Sequence, residues 1–120
     1  VVMSCTGHFD LVVGESFAIV LTFRDDDGEL IDDITGMKVF MELRDAEGVL
    51  LRQLSTEIPN SGVTVFPSAS QVLIRIDNVN LNDAGVYDVF VESNGVVERV
   101  VGRRNLRVSE AVTVMPFVSV

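Results

Sequence analysis

Along most of this chain apolar and polar residues alternate with a period of two, the mark of strands that bury one face. In "SFAIVLTFR" the residues Phe17, Ile19, Leu21 and Phe23 share one face while Ala18, Val20 and Thr22 share the other. "MKVFMELRD" repeats the pattern, with Val39, Met41 and Leu43 set against Phe40 and Glu42. "VTVF", "QVLIRID", "VYDVFVES", "VVERVVG" and "NLRVSE" continue it. No segment sustains a helical period over ten residues. About seven short strands separated by turn residues predict an all-β, antiparallel sandwich.

The turns are legible too. "FRDDDGELI" (Phe23 to Ile31) and "LRDAEGVLL" (Leu43 to Leu51) share apolar-Arg-Asp-x-acid-Gly-x-Leu-apolar, twenty residues apart. The Asp can bond backbone two residues on, and the Gly three residues later can take a positive φ, so both predict hairpins. Asn94-Gly95, between two alternating runs, predicts a two-residue turn.

Composition narrows the picture. A chain of 120 residues with 48% hydrophobic residues is one domain with a substantial core. No apolar run approaches the roughly 18–20 residues of a membrane span, so no membrane insertion is expected. The start, "VVMSC", has neither a basic stretch nor a long apolar one, and reads as a mature or cytosol-made chain. Net charge is −9, and 12 of the 18 acids against 4 of the 9 bases fall in residues 1–60. Nucleic acid, which needs a basic face, is not an expected partner.

Candidate chemistry is sparse. One cysteine, Cys5, can form no internal disulfide, and one histidine, His8, cannot build a zinc site alone. The two would also be the sole nucleophile and base, three residues apart near a terminus, so no catalytic residues, cofactor or small-molecule substrate are expected and the chain reads as non-enzymatic. Asp25, Asp27 and Glu29, with Asp26, Asp32 and Asp33 nearby, are the calcium candidates, since oxygen ligands on one loop suit that ion. The bidentate Glu that would complete such a loop is missing, position 36 being Gly. The alternative is a charged hairpin tip that blocks edge pairing. Arg99, Arg103, Arg104 and Arg107 form a basic stripe, either solvated or meeting a neighbour's acidic tip.

"LIRIDNVNLNDAGVYDV" (Leu73 to Val89) resembles the E strand and E–F corner of intermediate-type immunoglobulin domains, and "VVGESFAIVLTF" resembles the run into their B strand. The resemblance covers about Leu11 to Ser109. It implies buried Ile74, Ile76, Val79 and Leu81, and a structural corner of Asp83, Gly85 and Tyr87, with the Tyr87 hydroxyl reaching back to the turn backbone. It also places Leu21 and Val89 where the family has its two half-cystines. A disulfide there contributes typically about 2–4 kcal/mol, and burying an aliphatic side chain about 1.5–3 kcal/mol. Leu21 and Val89 are therefore expected to meet across the sandwich as a core pair replacing the disulfide. There is no tryptophan, and Phe40 or Val39 is the candidate for its place.

Outside the sandwich (11–109) the reading places an N-terminal arm, 1–10, and a C-terminal arm, 110–120. In "AVTVMPFVSV" the residues Val112, Val114, Met115, Pro116, Phe117 and Val118 are candidates for assembly, because exposed apolar strand-formers normally lie on a partner. Short chains with a Gly-Glu-Ser-Phe strand, a "DDDG" turn and an element such as Ile34-Thr35-Gly36 are similar to small virion proteins of tailed bacteriophages. That resemblance implies a structural protein decorating the capsid or forming part of the tail or baseplate, assembled in the host cytoplasm. Its partners would be other virion proteins and copies of itself. The alternative is an adhesion or carbohydrate-binding module of a bacterial surface protein, which would show exposed aromatics at loop tips.

Overall fold

Among the described residues nine strands carry the alternation into three dimensions. The computed structural model describes residues 2–7, 10–32, 34 and 36–110, with residues 2–7, 102 and 103 described by their backbone. In chain order the strands are β1 (Val2–Gly7), β2 (Asp10–Val12), β3 (Phe17–Arg24), β4 (Lys38–Arg44), β5 (Leu50–Ser55), β6 (Val63–Phe66), β7 (Gln71–Ile76), β8 (Gly85–Ser93) and β9 (Val96–Ser109). Two single 3₁₀ turns, Pro67–Ala69 and Leu81–Asp83, complete the regular structure among the described residues.

The strands form two sheets, ordered β1-β3-β7-β6 and β2-β9-β8-β4-β5. Every neighbouring pair is antiparallel except β2 with β9, which is parallel over Asp10–Val12 and Arg107–Ser109. The molecule is thus an all-β sandwich. Taking the Arg24 end of β3 as the upper end, the 25–37 loop and the 94–95 turn lie above, and the 45–49 and 77–84 loops lie below.

Inward positions of both sheets make one core. β3 contributes Phe17, Ile19, Leu21 and Phe23, all fully buried, and β7 adds Val72, Ile74 and Ile76. From the facing sheet come Val39, Met41 and Leu43 of β4 and Tyr87, Val89 and Val91 of β8. Burial at about 1.5–3 kcal/mol for each such side chain is what offsets the entropy of ordering the chain.

Four expectations change. Val2–Gly7, expected within an arm, is an edge strand running from Val2 opposite Arg24 to Gly7 opposite Ile19. The free N–H and C=O groups along β3 are the physical reason, since an extended neighbour satisfies them. Asp10, the last residue of that expected arm, opens β2. Of the two candidates for the missing tryptophan's place, Phe40 faces outward, whereas Val39 is fully buried in the core together with Met41, and Met41 is the register partner of Val89. The unbranched thioether of Met41 is therefore the side chain beside the expected core pair. Leu81, expected to be buried, opens a 3₁₀ turn and is 47% exposed. Residues 111–120, with the assembly candidates Val112, Val114, Met115, Pro116, Phe117 and Val118, lie outside the described residues, as do His8, Asp33 and Thr35.

Candidate interaction surface

The two similar stretches fold into the same loop twice. Asp25 Oδ1 accepts from the N–H groups of Asp27 (2.9 Å) and Glu29 (3.0 Å), and Asp45 Oδ1 accepts from those of Glu47 and Val49 (both 2.9 Å). Gly28 and Gly48 follow with φ of +86° and +84°, which only glycine adopts freely. In each loop the preceding arginine reaches over: Arg24 Nη1 donates to the Gly28 carbonyl (2.9 Å) and Arg44 Nη1 to that of Gly48 (3.0 Å). The role of the arginine was not read from the sequence, although the shared "RD" preceding each glycine is its signal. Asp45 closes the β4–β5 hairpin; Asp25 closes a turn held by one bridge, Arg24 to Leu30.

These bonds engage the first calcium candidate. One carboxylate oxygen of Asp25 already serves two backbone donors, while Asp27 and Glu29 point to solvent as exposed side chains. Among the described residues no three acidic, histidine or cysteine side chains gather closely enough to hold a metal ion. The loop's geometry is that of a hairpin tip.

The corner at the lower end is built around Asp83. Its Oδ2 accepts from the Asn80 N–H (2.9 Å), while Asn80 Oδ1 accepts from the Asn82 N–H (2.8 Å), a reciprocal cap on the 3₁₀ turn. Its Oδ1 takes the Arg52 Nε at 2.6 Å, tying the turn to β5. Asp83 is 4% exposed. Burial by itself raises the carboxyl pKa, but the Arg52 guanidinium and the Asn80 amide outweigh it and hold the group below its ordinary 3.8. Tyr87 is fully buried and sets its ring edge-on to Phe17, centroids 5.2 Å apart. The hydrogen bonds of Asp83 tie the corner to β5, and the ring of Tyr87 joins the two sheets. Gly85 serves by its lack of a side chain: a Cβ there would stand 2.2 Å from the Arg44 carbonyl oxygen.

Leu21 and Val89 are both fully buried on opposite sheets of one core. Leu21 lies in register between Cys5 and Val72, and Val89 between Met41 and Val101.

On the outer face of the second sheet, Phe40 and Phe90 stack at 5.0 Å with ring planes 17° apart. The Arg99 guanidinium lies 5.8 Å over the Phe90 ring and 3.6 Å from Asp88. Arg44 and Glu42 pair at 2.6 Å beside them, and the face borders an open groove of about 420 Å³. Of the basic stripe, Arg99 is thus engaged within its own sheet, and Arg107 stands 3.9 Å from Asp10. Arg104 is exposed beside them, and the Arg103 side chain lies outside the description.

A smaller, mainly apolar cleft of about 90 Å³ opens at the upper end, between the sheets and next to β9, lined by Phe23, Met37, Val91, Val96 and Val100, with Ser93 and Glu98 as its polar members. Val96 and Val97 beside it are 68% and 53% exposed.

Among the described residues one exposed pair has proton-transfer geometry. The Ser16 hydroxyl donates to Asp77 Oδ1 at 3.0 Å, but Arg75 Nε sits 2.5 Å from the same oxygen. The bonds from Arg75 and then Ser16 hold Asp77 below its ordinary 3.8, so it is a weak base toward that hydroxyl. No known protein-family model and no curated protein sequence matches the chain.

Proposed function

We propose that this chain is an immunoglobulin-like module that serves as a non-enzymatic structural part of a tailed-bacteriophage virion. The observation that carries the domain reading is the strand order. β1-β3-β7-β6 runs as the A-B-E-D sheet of such domains, and β9-β8-β4 as G-F-C, with β5 and β2 where C′ and A′ strands lie. The corner sits where β7 crosses to β8, with Asp83 ending the 3₁₀ turn of that connection and Gly85 and Tyr87 opening β8, as that reading expects.

What supports a structural role is the distribution of polar groups. Several of the described carboxylates bond arginines or close turns, as at Asp25, Asp45, Asp83 and Asp88. Such bonds shape a scaffold. The virion itself is supported by the sequence resemblance and by the uncharged apolar segment 111–120, which suits attachment to other virion proteins and copies of itself.

Mass spectrometry and immunogold labelling of virions purified from the source of this sequence test the reading. The chain is expected in many copies per particle, at the capsid, tail or baseplate. Its absence from particles, together with selective binding of the pure protein on a glycan array, would favour the adhesion alternative instead. Phe66, 44% exposed beside the Pro67–Ala69 turn, would then be the first ring to substitute.

A further inference from the structure

We infer that the upper edge of β9 receives residues 111–120 of a second copy as an added strand, so that the chain associates head to tail. This rests on the assembly role proposed above and names the surfaces involved. β9 is 14 residues long, but β2 lines its outer side only over Arg107–Ser109. Over Val96–Val101 no strand among the described residues lies on that side. Half of the backbone groups along such a run point away from β8, which is the template for β-augmentation. The apolar cleft beneath Val96 and Val100 opens beside the same stretch and supplies a pocket for an inserted side chain.

The segment suits that edge by its pattern. "AVTVMPFVSV" carries no charge and alternates, so that Val112, Val114, Pro116, Val118 and Val120 share one face and Thr113, Met115, Phe117 and Ser119 the other. Proline has no N–H to give a ladder, yet it is tolerated on an outermost strand where that position points away from the neighbour. The register that sets Pro116 outward leaves Thr113, Met115, Phe117 and Ser119 to make the backbone bonds. The four valines then form one continuous apolar face to lie over the cleft.

Reach assigns the segment to a second copy. Ser109 is at the lower end, paired with Val12, and Val101 stands eight residues up the strand, about 27 Å away at the rise of a β-strand. Ten extended residues span at most about 33–36 Å. A segment turning back on its own molecule would have to round β2 and then climb that distance, leaving about two residues for the edge. A neighbour presenting its lower end to this upper edge has no such detour. The contact is heterologous, the donor segment of one copy on the acceptor edge of the next, and therefore propagates.

The test is a complementation between two full-length variants, each checked for a cooperative thermal transition. V114D/V118D disables the segment, and V96D/V97D, at two exposed positions, places charge on the edge. In sedimentation velocity the parent chain should grow in size with concentration, and each variant alone should associate at least tenfold more weakly. An equimolar mixture should form one-to-one dimers that extend no further, because one donor and one acceptor survive. A parent chain that stays monomeric throughout, or a mixture that gives no dimer, overturns the inference. Concentration-independent protection from hydrogen exchange of those Val97–Val101 amides that point away from β8 would also overturn it, showing that the edge is covered from within the molecule. These outcomes are read on the isolated protein, whereas virion membership is read on particles, so either can fail alone.

Discussion

Asp83 concentrates more of the fold in one side chain than any other polar residue described. Its two oxygens serve the Arg52 guanidinium and the Asn80 amide, so one group fixes the β7–β8 crossover and anchors it to β5. Replacing it by Asn keeps the volume but removes the charge that both donors face. We expect D83N to lose about 1–2 kcal/mol at pH 7, below the value of a fully buried pair because the Arg52 side chain is 40% exposed. The pH dependence has a definite sign. Folded Asp83 titrates below 3.8, so its stabilisation is complete above that value and disappears as pH falls through the folded pKa. Urea midpoints of the two proteins should accordingly differ at pH 7, and the gap should narrow progressively as pH falls below 3.8; a constant gap would show that the charge is not the cause. Gly85, two residues on, is constrained by space. G85A forces a Cβ against the Arg44 carbonyl oxygen at 2.2 Å, so β4 and β8 must separate locally, a loss of about 2 kcal/mol or more in the same assay.

At the scale of elements, the twin loops show which parts of the fold are written locally. The Asp, the Gly and the spacing between them specify a turn without reference to the rest of the chain, and both turns form as the residues require. D45A should cost about 1 kcal/mol, because two backbone amides lose their shared acceptor. D25A should cost less, since its loop is tied to the sheet by a single bridge instead of a paired strand. Chemical denaturation of both variants checks the order. The same locality explains what the sequence made legible. Alternation names the inward residues of β3, β4, β7 and β8, because a buried strand repeats every second residue. It conveys nothing about which edge a strand joins. "VVMSC" reads as an arm because no turn residue ties it to β3, and β2 is too short at three residues to show a period. Phe40 and Phe90 sit on the outer face, where an aromatic pair looks in sequence like any core residue. Likewise, Leu81 follows an apolar rhythm that the 3₁₀ turn interrupts. For the candidate site the corner residues were legible as a group, whereas Arg52, the ion partner of Asp83, comes from a strand 31 residues away with no local signal.

The whole molecule poses the question of how a sandwich of this size stands without a cross-link. Leu21 and Val89 occupy the two positions that the immunoglobulin resemblance gives to half-cystines, one on each sheet, and both are fully buried. Restoring the cysteines therefore tests the proposed alignment of the two sheets directly. In a C5S background, which removes the native thiol, L21C/V89C should close a disulfide under mild oxidant, read as a loss of two hydrogens by mass spectrometry. The reduced double variant should be less stable than the parent by roughly 2–4 kcal/mol, because two aliphatic side chains are truncated in a packed core. Oxidation should return a similar amount, about 2–4 kcal/mol, since the bridge closes a loop of roughly 70 residues in the unfolded chain. A disulfide forms only where the Cα atoms stand within about 7 Å and the Cβ vectors converge. A double variant that is folded, yet resists oxidation, would mean that positions 21 and 89 do not face each other. The immunoglobulin-like alignment would then be wrong, even though the two-sheet architecture stands.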